Sequence, residues 1–167
     1  GMLFSKYDKY HPVFKSCNVG SKGETWQWCC GCPKCLFVYS ILSPHLYKEK
    51  LVNIFGKDMF KNESLLTTFK ELLGRGDNKP FECVGTYEEV NYAISKTIKQ
   101  LEQNNEALPY LLQYYKDNYE LLDTNKINFP ITFVDEATMK KISTTDTICE
   151  IITIAKKAIQ ITKTVFF

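Results

Sequence analysis

Apolar positions in this chain recur mainly at the three- and four-residue spacing of α-helices. An apolar run over residues 36–42 predicts a buried helix. A second helix is predicted to begin at Ser43-Pro44, because a capping residue followed by proline is typical of a helix start, and to end at Gly56. Asn62 and Gly74 have the same capping and terminating roles in a third helix.

The pattern continues with further helices after a glycine-rich loop at residues 74–80. Thr86 and Glu89 form the capping box of a helix whose apolar face runs to Leu101. A tyrosine-rich helix follows at about 108–122, which we interpret as a core helix with its hydroxyls at the rim rather than a stacking surface. Residues 148–161 have helical spacing although isoleucine and threonine suit strands, and we assign them to a helix.

By contrast, residues 1–35 show no periodicity and carry several glycines. The sequence therefore predicts a mainly α fold, a small helical domain with an N-terminal four-cysteine metal knot. We expect an irregular metal-binding segment at 1–35 and a helical domain at 36–167, which together form one compact unit.

Composition narrows the function classes. Hydrophobic residues make up 44% of the chain, enough for a core, and the net charge of +2 comes from dispersed lysines, which leaves no basic patch for nucleic acid or an anionic membrane. No apolar stretch reaches the roughly 18 residues of a membrane span, and the first residues contain no signal-peptide core. Five of the seven cysteines lie between Cys17 and Cys35, which favours a reduced, cytoplasmic, metal-bound protein over a disulfide scaffold.

The most specific motif places Cys29, Cys32 and Cys35 at Cys-x-x-Cys-x-x-Cys spacing, preceded by Cys17. Such gaps let four thiolates converge on one ion, and structural zinc is the preferred interpretation because it contributes folding free energy to a segment without its own core. An iron–sulfur cluster is the first alternative, although the Cys-Pro step typical of ferredoxins is missing. Free or redox-active thiols are the second. Cys30 is left out of the ligand set because it should point the other way, and it is the alternative to Cys29 if the register differs.

A second candidate site lies in the loop that carries Arg75, the only arginine, together with Lys79, Glu82 and Cys83. Arginine can hold a carboxylate or phosphate in a bidentate grip, so Arg75 and Lys79 are candidate substrate-binding residues. A carboxylate or thiol can move an α-proton, so Glu82 and Cys83 are candidate catalytic residues. The alternative is an ordinary loop anchored by its apolar residues.

The two histidines have weaker assignments. His45 could be a spare metal ligand, but we expect both His11 and His45 to be surface or capping residues.

Three segments in this order carry a family resemblance: Trp-Cys-Cys-Gly-Cys-Pro-Lys-Cys-Leu-Phe-Val (28–38), Ile-Phe-Gly-Lys-Asp (54–58) and Lys-Pro-Phe-Glu-Cys-Val-Gly (79–85). They resemble the C-terminal part of the UDP-N-acetylmuramoyl-L-alanyl-L-glutamate epimerases of bacterial cell-wall synthesis. The cysteine pattern is similar, more distantly, to the zinc-binding tail of deazaguanine synthases and related ATP-pyrophosphatases. The resemblance covers about residues 16–92.

The resemblance implies an enzyme that activates the terminal L-glutamate carboxylate with ATP and magnesium, removes the α-proton and returns it on the other face to give D-glutamate. The family's ATP-binding half has a Ser-Gly-Gly-x-Asp-Ser-type loop, and this sequence contains neither that loop nor a Walker motif. We therefore expect either a C-terminal fragment or a stand-alone relative, inactive alone. Its partners would be an ATP-binding domain, of the same or another protein, and a nucleotide-linked muramoyl dipeptide substrate.

Two other hypotheses stand beside the epimerase domain. One is a non-catalytic zinc module that docks on protein or RNA, and the other is an iron–sulfur redox domain.

Overall fold

The described part of this protein consists of helices joined by turns and loops. The computed structural model describes residues 1–22, 27–80 and 84–125, and these ranges contain no β-strand. The α-helices are α1 (Met2–Ser5), α2 (Pro33–Leu42), α3 (Lys48–Phe55), α4 (Leu66–Leu72), α5 (Tyr87–Gln103) and α6 (Tyr110–Asn118). The short 3-10 turns are Asp8–Tyr10, Gly20–Lys22, Met59–Lys61 and Glu63–Leu65. The predicted mainly α fold is confirmed, whereas the predicted helix at 148–161 lies outside the described residues.

The predicted start of the second helix at Ser43-Pro44 is wrong. Ser43 instead closes α2, since its N–H donates to the carbonyl of Tyr39 at 3.0 Å. Its hydroxyl is buried against Thr97 of α5, 2.7 Å from the Thr97 Oγ1, and so it is not free to cap a new helix. Helix α3 begins only at Lys48.

Other predicted helix ends are confirmed. Gly56 and Gly74 follow α3 and α4 with φ angles of 89° and 74°, a left-handed conformation that glycine adopts without steric cost. Asn62 accepts a hydrogen bond from the Ser64 N–H and starts the 3-10 turn that continues into α4. The capping box at the start of α5 has both of its reciprocal hydrogen bonds.

Helix α2 lies at the centre of the core. It packs against α3, α4 and α5, while α6 packs against α5 and the Met59–Lys61 turn. Deeply buried side chains of the core include Leu36, Tyr39, Phe69, Ile94, Ile98, Leu111, Leu112 and Tyr115. The tyrosine-rich helix α6 is therefore a core helix. None of the helices in the described ranges is long and apolar enough to cross a membrane.

A continuous series of aromatic contacts joins the N-terminal segment to this core. Phe4 contacts Phe14, Phe14 contacts Trp28 and Trp28 contacts Phe55, with ring centroids 4.7, 5.6 and 4.6 Å apart. Phe55 in turn meets Tyr39 of α2 edge-on. The predicted boundary between 1–35 and 36–167 stays a prediction, and the structure adds short helical turns to the segment that we expected to be irregular.

Candidate functional site

Two local elements position the four cysteines. Cys17 lies just before the 3-10 turn Gly20–Lys22, and Cys29 belongs to the non-helical chain that leads into α2. Cys32 is the N-terminal capping residue of α2, and Cys35 follows within its first turn after Pro33. Because residues three apart lie on the same face of a helix, Cys32 and Cys35 point in the same direction.

The four sulfur atoms form one compact cluster. All lie within 4.8 Å of one another, with Sγ–Sγ distances of 3.9 Å for Cys17 and Cys32 and 3.7 Å for Cys29 and Cys35. Cys32 and Cys35 are 3.4 Å apart. Four thiolates at about 2.3 Å around a tetrahedral ion would be about 3.8 Å apart. The geometry therefore fits a single metal ion with four sulfur ligands, as the sequence predicts.

The cluster is mostly buried. Cys17 and Cys35 are 1% and 0% exposed, Cys32 is buried as well, and Cys29 is half-buried. An ion held by four protein sulfurs has no open position for a substrate or a water molecule, which is the arrangement of structural rather than catalytic metal sites.

The ionisation of the four thiols would also favour a bound cation. Burial opposes ionisation of the Cys17 thiol, but the N–H groups of Gly20 and Cys29 donate to its sulfur and lower its pKa to about 6. Burial raises the pKa of Cys32 to about 11 and that of Cys35 further. Four sulfurs this close together, three of them buried, are therefore not expected to ionise together without a cation, and a divalent ion would supply the missing positive charge.

Cys30 lies apart from this cluster, as predicted. Its backbone has a φ of 52°, unusual for a residue other than glycine, and its thiol donates to the carbonyl of Phe55 at 3.0 Å. Cys30 therefore anchors the cysteine segment to the end of α3 and lies outside the four-sulfur cluster.

In the second candidate site, Arg75 and Lys79 are both exposed and both lie over tyrosine rings. The Arg75 guanidinium is 5.4 Å from the ring centroid of Tyr119, and the Lys79 ammonium is 5.2 Å from that of Tyr87. Sequence reasoning missed these aromatic partners. Glu82 and Cys83 lie outside the described residues, so their placement relative to Arg75 stays a prediction.

Hydrogen bonds from α5 hold the start of the Arg75 loop. The side-chain amide of Asn91 donates to the carbonyls of Leu73 at 3.0 Å and Tyr87 at 2.7 Å. The buried Tyr115 hydroxyl donates to the Asn91 Oδ1 at 3.0 Å. Side-chain hydrogen bonds thus connect α5 both to α6 and to Leu73, the residue that follows α4.

The two histidines lie in different environments. His11 is only 7% exposed, and its Nε2 lies 3.0 Å from the carbonyl oxygen of Phe4, so it is not a surface residue. It is the C-terminal capping residue of the turn Asp8–Tyr10, where its N–H donates to the carbonyl of Asp8, which confirms the capping alternative. His45 is half-buried, and burial together with Lys96 lowers its pKa to about 4. In the described part of the chain, no histidine joins the four sulfurs.

Comparison with known proteins gives a consistent family assignment. Residues 13–125 match the family model described as the MurL C-terminal domain. A protein of Micromonospora sp., named UDP-N-acetyl-alpha-D-muramoyl-L-alanyl-L-glutamate epimerase, is 41% identical over 59% of this chain and 22% of its own length. A protein of the same name from Salinispora tropica is 40% identical over 55% of this chain and 21% of its own length. Another from Xanthomonas oryzae is 34% identical over 74% of this chain and 28% of its own length.

The chain thus spans less than a third of the length of these curated relatives. No solved structure matches it.

Proposed function

Because the chain belongs to the MurL C-terminal domain family, we propose that it is the zinc-binding C-terminal domain of an ATP-dependent epimerase of peptidoglycan-precursor synthesis. The enzyme would convert L-glutamate to D-glutamate in UDP-N-acetylmuramoyl-L-alanyl-L-glutamate. The observation that carries this proposal is the match of residues 13–125 to a domain family whose relatives bear that epimerase name. The relatives' much greater length leaves room for an ATP-binding domain. The free cysteines are consistent with the reducing cytoplasm, where we propose that the reaction takes place.

Zinc is the ion that we propose for the four-cysteine site. The short separation of the sulfurs supports one ion, since an iron–sulfur cluster distributes its thiolates over several irons and needs a wider arrangement. The closed ligand shell supports a structural role. The metal would then stabilise the segment that leads into α2 and take no part in the reaction.

The chemistry would belong to the loop that follows α4. We propose that Arg75 and Lys79 bind the anionic substrate, and their exposure leaves donors available for it. Epimerisation requires one group to remove the α-proton and a second group to return a proton on the opposite face. We propose Glu82 and Cys83 for these two roles. ATP and magnesium, bound by the other domain, would activate the carboxylate and make the α-proton more acidic.

A domain exchange tests the proposed function. In the Xanthomonas oryzae relative, this chain replaces the C-terminal domain, and D-glutamate formation is measured with ATP and UDP-N-acetylmuramoyl-L-alanyl-L-glutamate. We expect the chimaera to be active and this chain alone to be inactive. In the chimaera, Arg75→Lys should raise KM more than it lowers kcat, while Cys83→Ser and Glu82→Gln should mainly lower kcat. A folded, zinc-loaded chimaera that forms no D-glutamate would contradict the proposal.

Metal analysis tests the zinc site separately. We expect one zinc ion per chain, and Cys35→Ser should remove it. Cys30→Ser is the matched control, because serine can still donate to the Phe55 carbonyl and the four ligands stay intact. A brown protein that contains iron and sulfide would disprove the zinc assignment.

A further inference from the structure

A cavity of about 670 Å³ lies among the helices. It is bordered by the turn that leads into α3, the Met59–Lys61 turn, the C-terminal part of α5 and residues 106–109. Among the residues that the structure describes, neither a cysteine nor a residue of the Arg75 loop lines it. Its volume falls within the range of small-molecule binding sites in proteins.

The cavity has a polar floor. The Tyr39 hydroxyl donates to the Asp58 Oδ1 at 3.1 Å, and the hydroxyls of Ser43 and Thr97 are 2.7 Å apart. Tyr39, Ser43 and Thr97 are at most 7% exposed, and the Asp58 side chain is 12% exposed. These groups form a buried set of hydroxyls and one carboxylate that faces the cavity.

Asp58 keeps hydrogen-bonding capacity for a ligand. Its Oδ1 accepts hydrogen bonds from the Tyr39 hydroxyl and the Phe60 N–H. Within the described ranges, its Oδ2 has one polar partner, the Lys48 ammonium at 3.7 Å, and that lysine side chain is 49% exposed. A carboxylate oxygen can accept two hydrogen bonds, so the Oδ2 can receive a ligand hydroxyl while the ion pair persists.

The charges of the lining favour a neutral ligand. Two lysines, Lys48 and Lys61, are set against three carboxylates, those of Glu49, Asp58 and Glu106. His45 adds no positive charge near neutral pH, because burial lowers its pKa to about 4. This balance is not complementary to a diphosphate or to a free dicarboxylate.

The rim and walls are apolar and aromatic. Tyr47 at the rim is 78% exposed, and Leu46, Leu101 and Leu108 line the walls. A sugar presents apolar C–H faces together with hydroxyls at its edge. An exposed aromatic ring beside buried hydroxyls and a carboxylate is complementary to both parts.

We propose that this cavity binds the acetamido sugar of the nucleotide-linked muramoyl peptide, with Tyr47 against the sugar ring and the Asp58 Oδ2 accepting from a sugar hydroxyl. The assignment rests on the proposed function, from which the substrate is taken. It gives the domain a second contact with that substrate, distinct from the Arg75 loop. The diphosphate and the glutamyl carboxylates would bind elsewhere.

Titration of the zinc-loaded chain with separate parts of the substrate tests this inference. The methylamide of N-acetylmuramic acid, whose lactyl group is uncharged as it is in the substrate, L-alanyl-L-glutamate and UDP are added in turn while amide chemical shifts are followed by NMR. We expect the sugar amide to shift residues 43–49 and 97–104, and the dipeptide and UDP to leave them unchanged. Tyr47→Ala and Asp58→Asn should each weaken sugar binding about fivefold, as the loss of about 1 kcal/mol implies.

Tyr7→Ala is the matched control, because Tyr7 is also an exposed tyrosine, at 53%, and does not line the cavity. It should leave sugar binding unchanged. Absence of sugar-dependent shifts in the cavity, or shifts there caused by the dipeptide or UDP instead, would overturn the inference. Full binding by Tyr47→Ala, which removes only an exposed side chain, would overturn it as well. An active chimaera without sugar binding would contradict this inference alone, whereas sugar binding with an inactive chimaera would contradict the proposed function alone.

Discussion

The surroundings of Cys17 show how much the proposed metal site depends on single backbone positions. Gly20 donates its N–H to the Cys17 sulfur at 3.1 Å, a contact that orients the thiolate. A Cβ atom at Gly20 would collide with the carbonyl of Gln27. Gly31, between Cys29 and Cys32, has space, since its nearest neighbour would be 3.9 Å from an added Cβ.

These two glycines give a matched pair of variants. We expect Gly20→Ala to weaken zinc binding at least tenfold, because the backbone must shift at the Cys17 ligand, and Gly31→Ala to change it little. Competition with a chromophoric chelator measures both affinities. Equal affinities in the two variants would show that the Gly20 contact does not support the site.

His45 gives the protein a pH-dependent contribution to stability. Its folded-state pKa of about 4 lies below the ordinary 6.5, mainly through burial and then through the nearby Lys96 and the terminal amine. The unfolded chain therefore binds the proton more readily. The contribution is complete above about pH 6.5 and is lost as the pH falls from 6.5 towards 4.

We expect His45→Gln to remove this part of the pH dependence. The difference in unfolding free energy between the wild type and the variant should change by on the order of 1 kcal/mol between pH 6.5 and 4, a value reduced because the ring is partly exposed to solvent. Denaturant unfolding at several pH values measures it. Acid would also release a metal from the thiolates, but to the same extent in the wild type and in the variant. Parallel curves of unfolding free energy against pH for the two proteins would therefore disprove the role of His45.

At the scale of elements, α5 connects most of the described structure. Its capping box fixes the start of the helix, and Asn91 holds the end of α4. Further along, Ser95 accepts a hydrogen bond from the N–H of Leu122, and Thr97 meets Ser43 at the end of α2. Polar side chains on one helix thus set the positions of three others and of the chain beyond α6.

Tyr115→Phe tests this network. The substitution leaves the partly buried Asn91 Oδ1 without its 3.0 Å donor, and we expect it to cost about 1–2 kcal/mol of unfolding free energy. Tyr110→Phe is the control, because this tyrosine of the same helix is 38% exposed, and it should cost less than about 0.5 kcal/mol. Denaturant unfolding compares the two. Similar losses in both would mean that the network contributes no specific stability.

At the scale of the molecule, the cysteine site and the helices share one core. Trp28 precedes the first ligand of the cysteine triplet and packs on Phe55 of α3, which in turn contacts Tyr39 of α2. Cys35 lies within α2 itself. The metal should therefore stabilise the helical core as well as the N-terminal segment.

Removal of the metal should consequently lower Tm by more than about 10 °C, since the binding free energy of a structural zinc ion is also folding free energy. Circular dichroism melts before chelation, after chelation and after zinc is returned measure this change. Cys30→Ser should respond like the wild type. An unchanged Tm after complete removal would show that the helices fold independently of the site.

Local signals in the sequence determined the helical fold, the ends of α3 and α4, the capping box and the four-cysteine set, with Cys30 excluded. Each of these features depends on residues that are near one another in sequence, apart from Cys17, which is twelve residues before the next ligand. The spacing of the other three cysteines is enough to bring their sulfur atoms together.

The tertiary structure decided what depends on partners distant in sequence. Ser43 ends α2 because it meets Thr97, 54 residues away, and the ring beneath Arg75 comes from the chain after α6. The burial of His11 and the cavity beside Asp58 likewise arise only when separate segments pack together. No local sequence pattern predicts such contacts, because the residues that form them are far apart in the chain. They come together only when the core has formed.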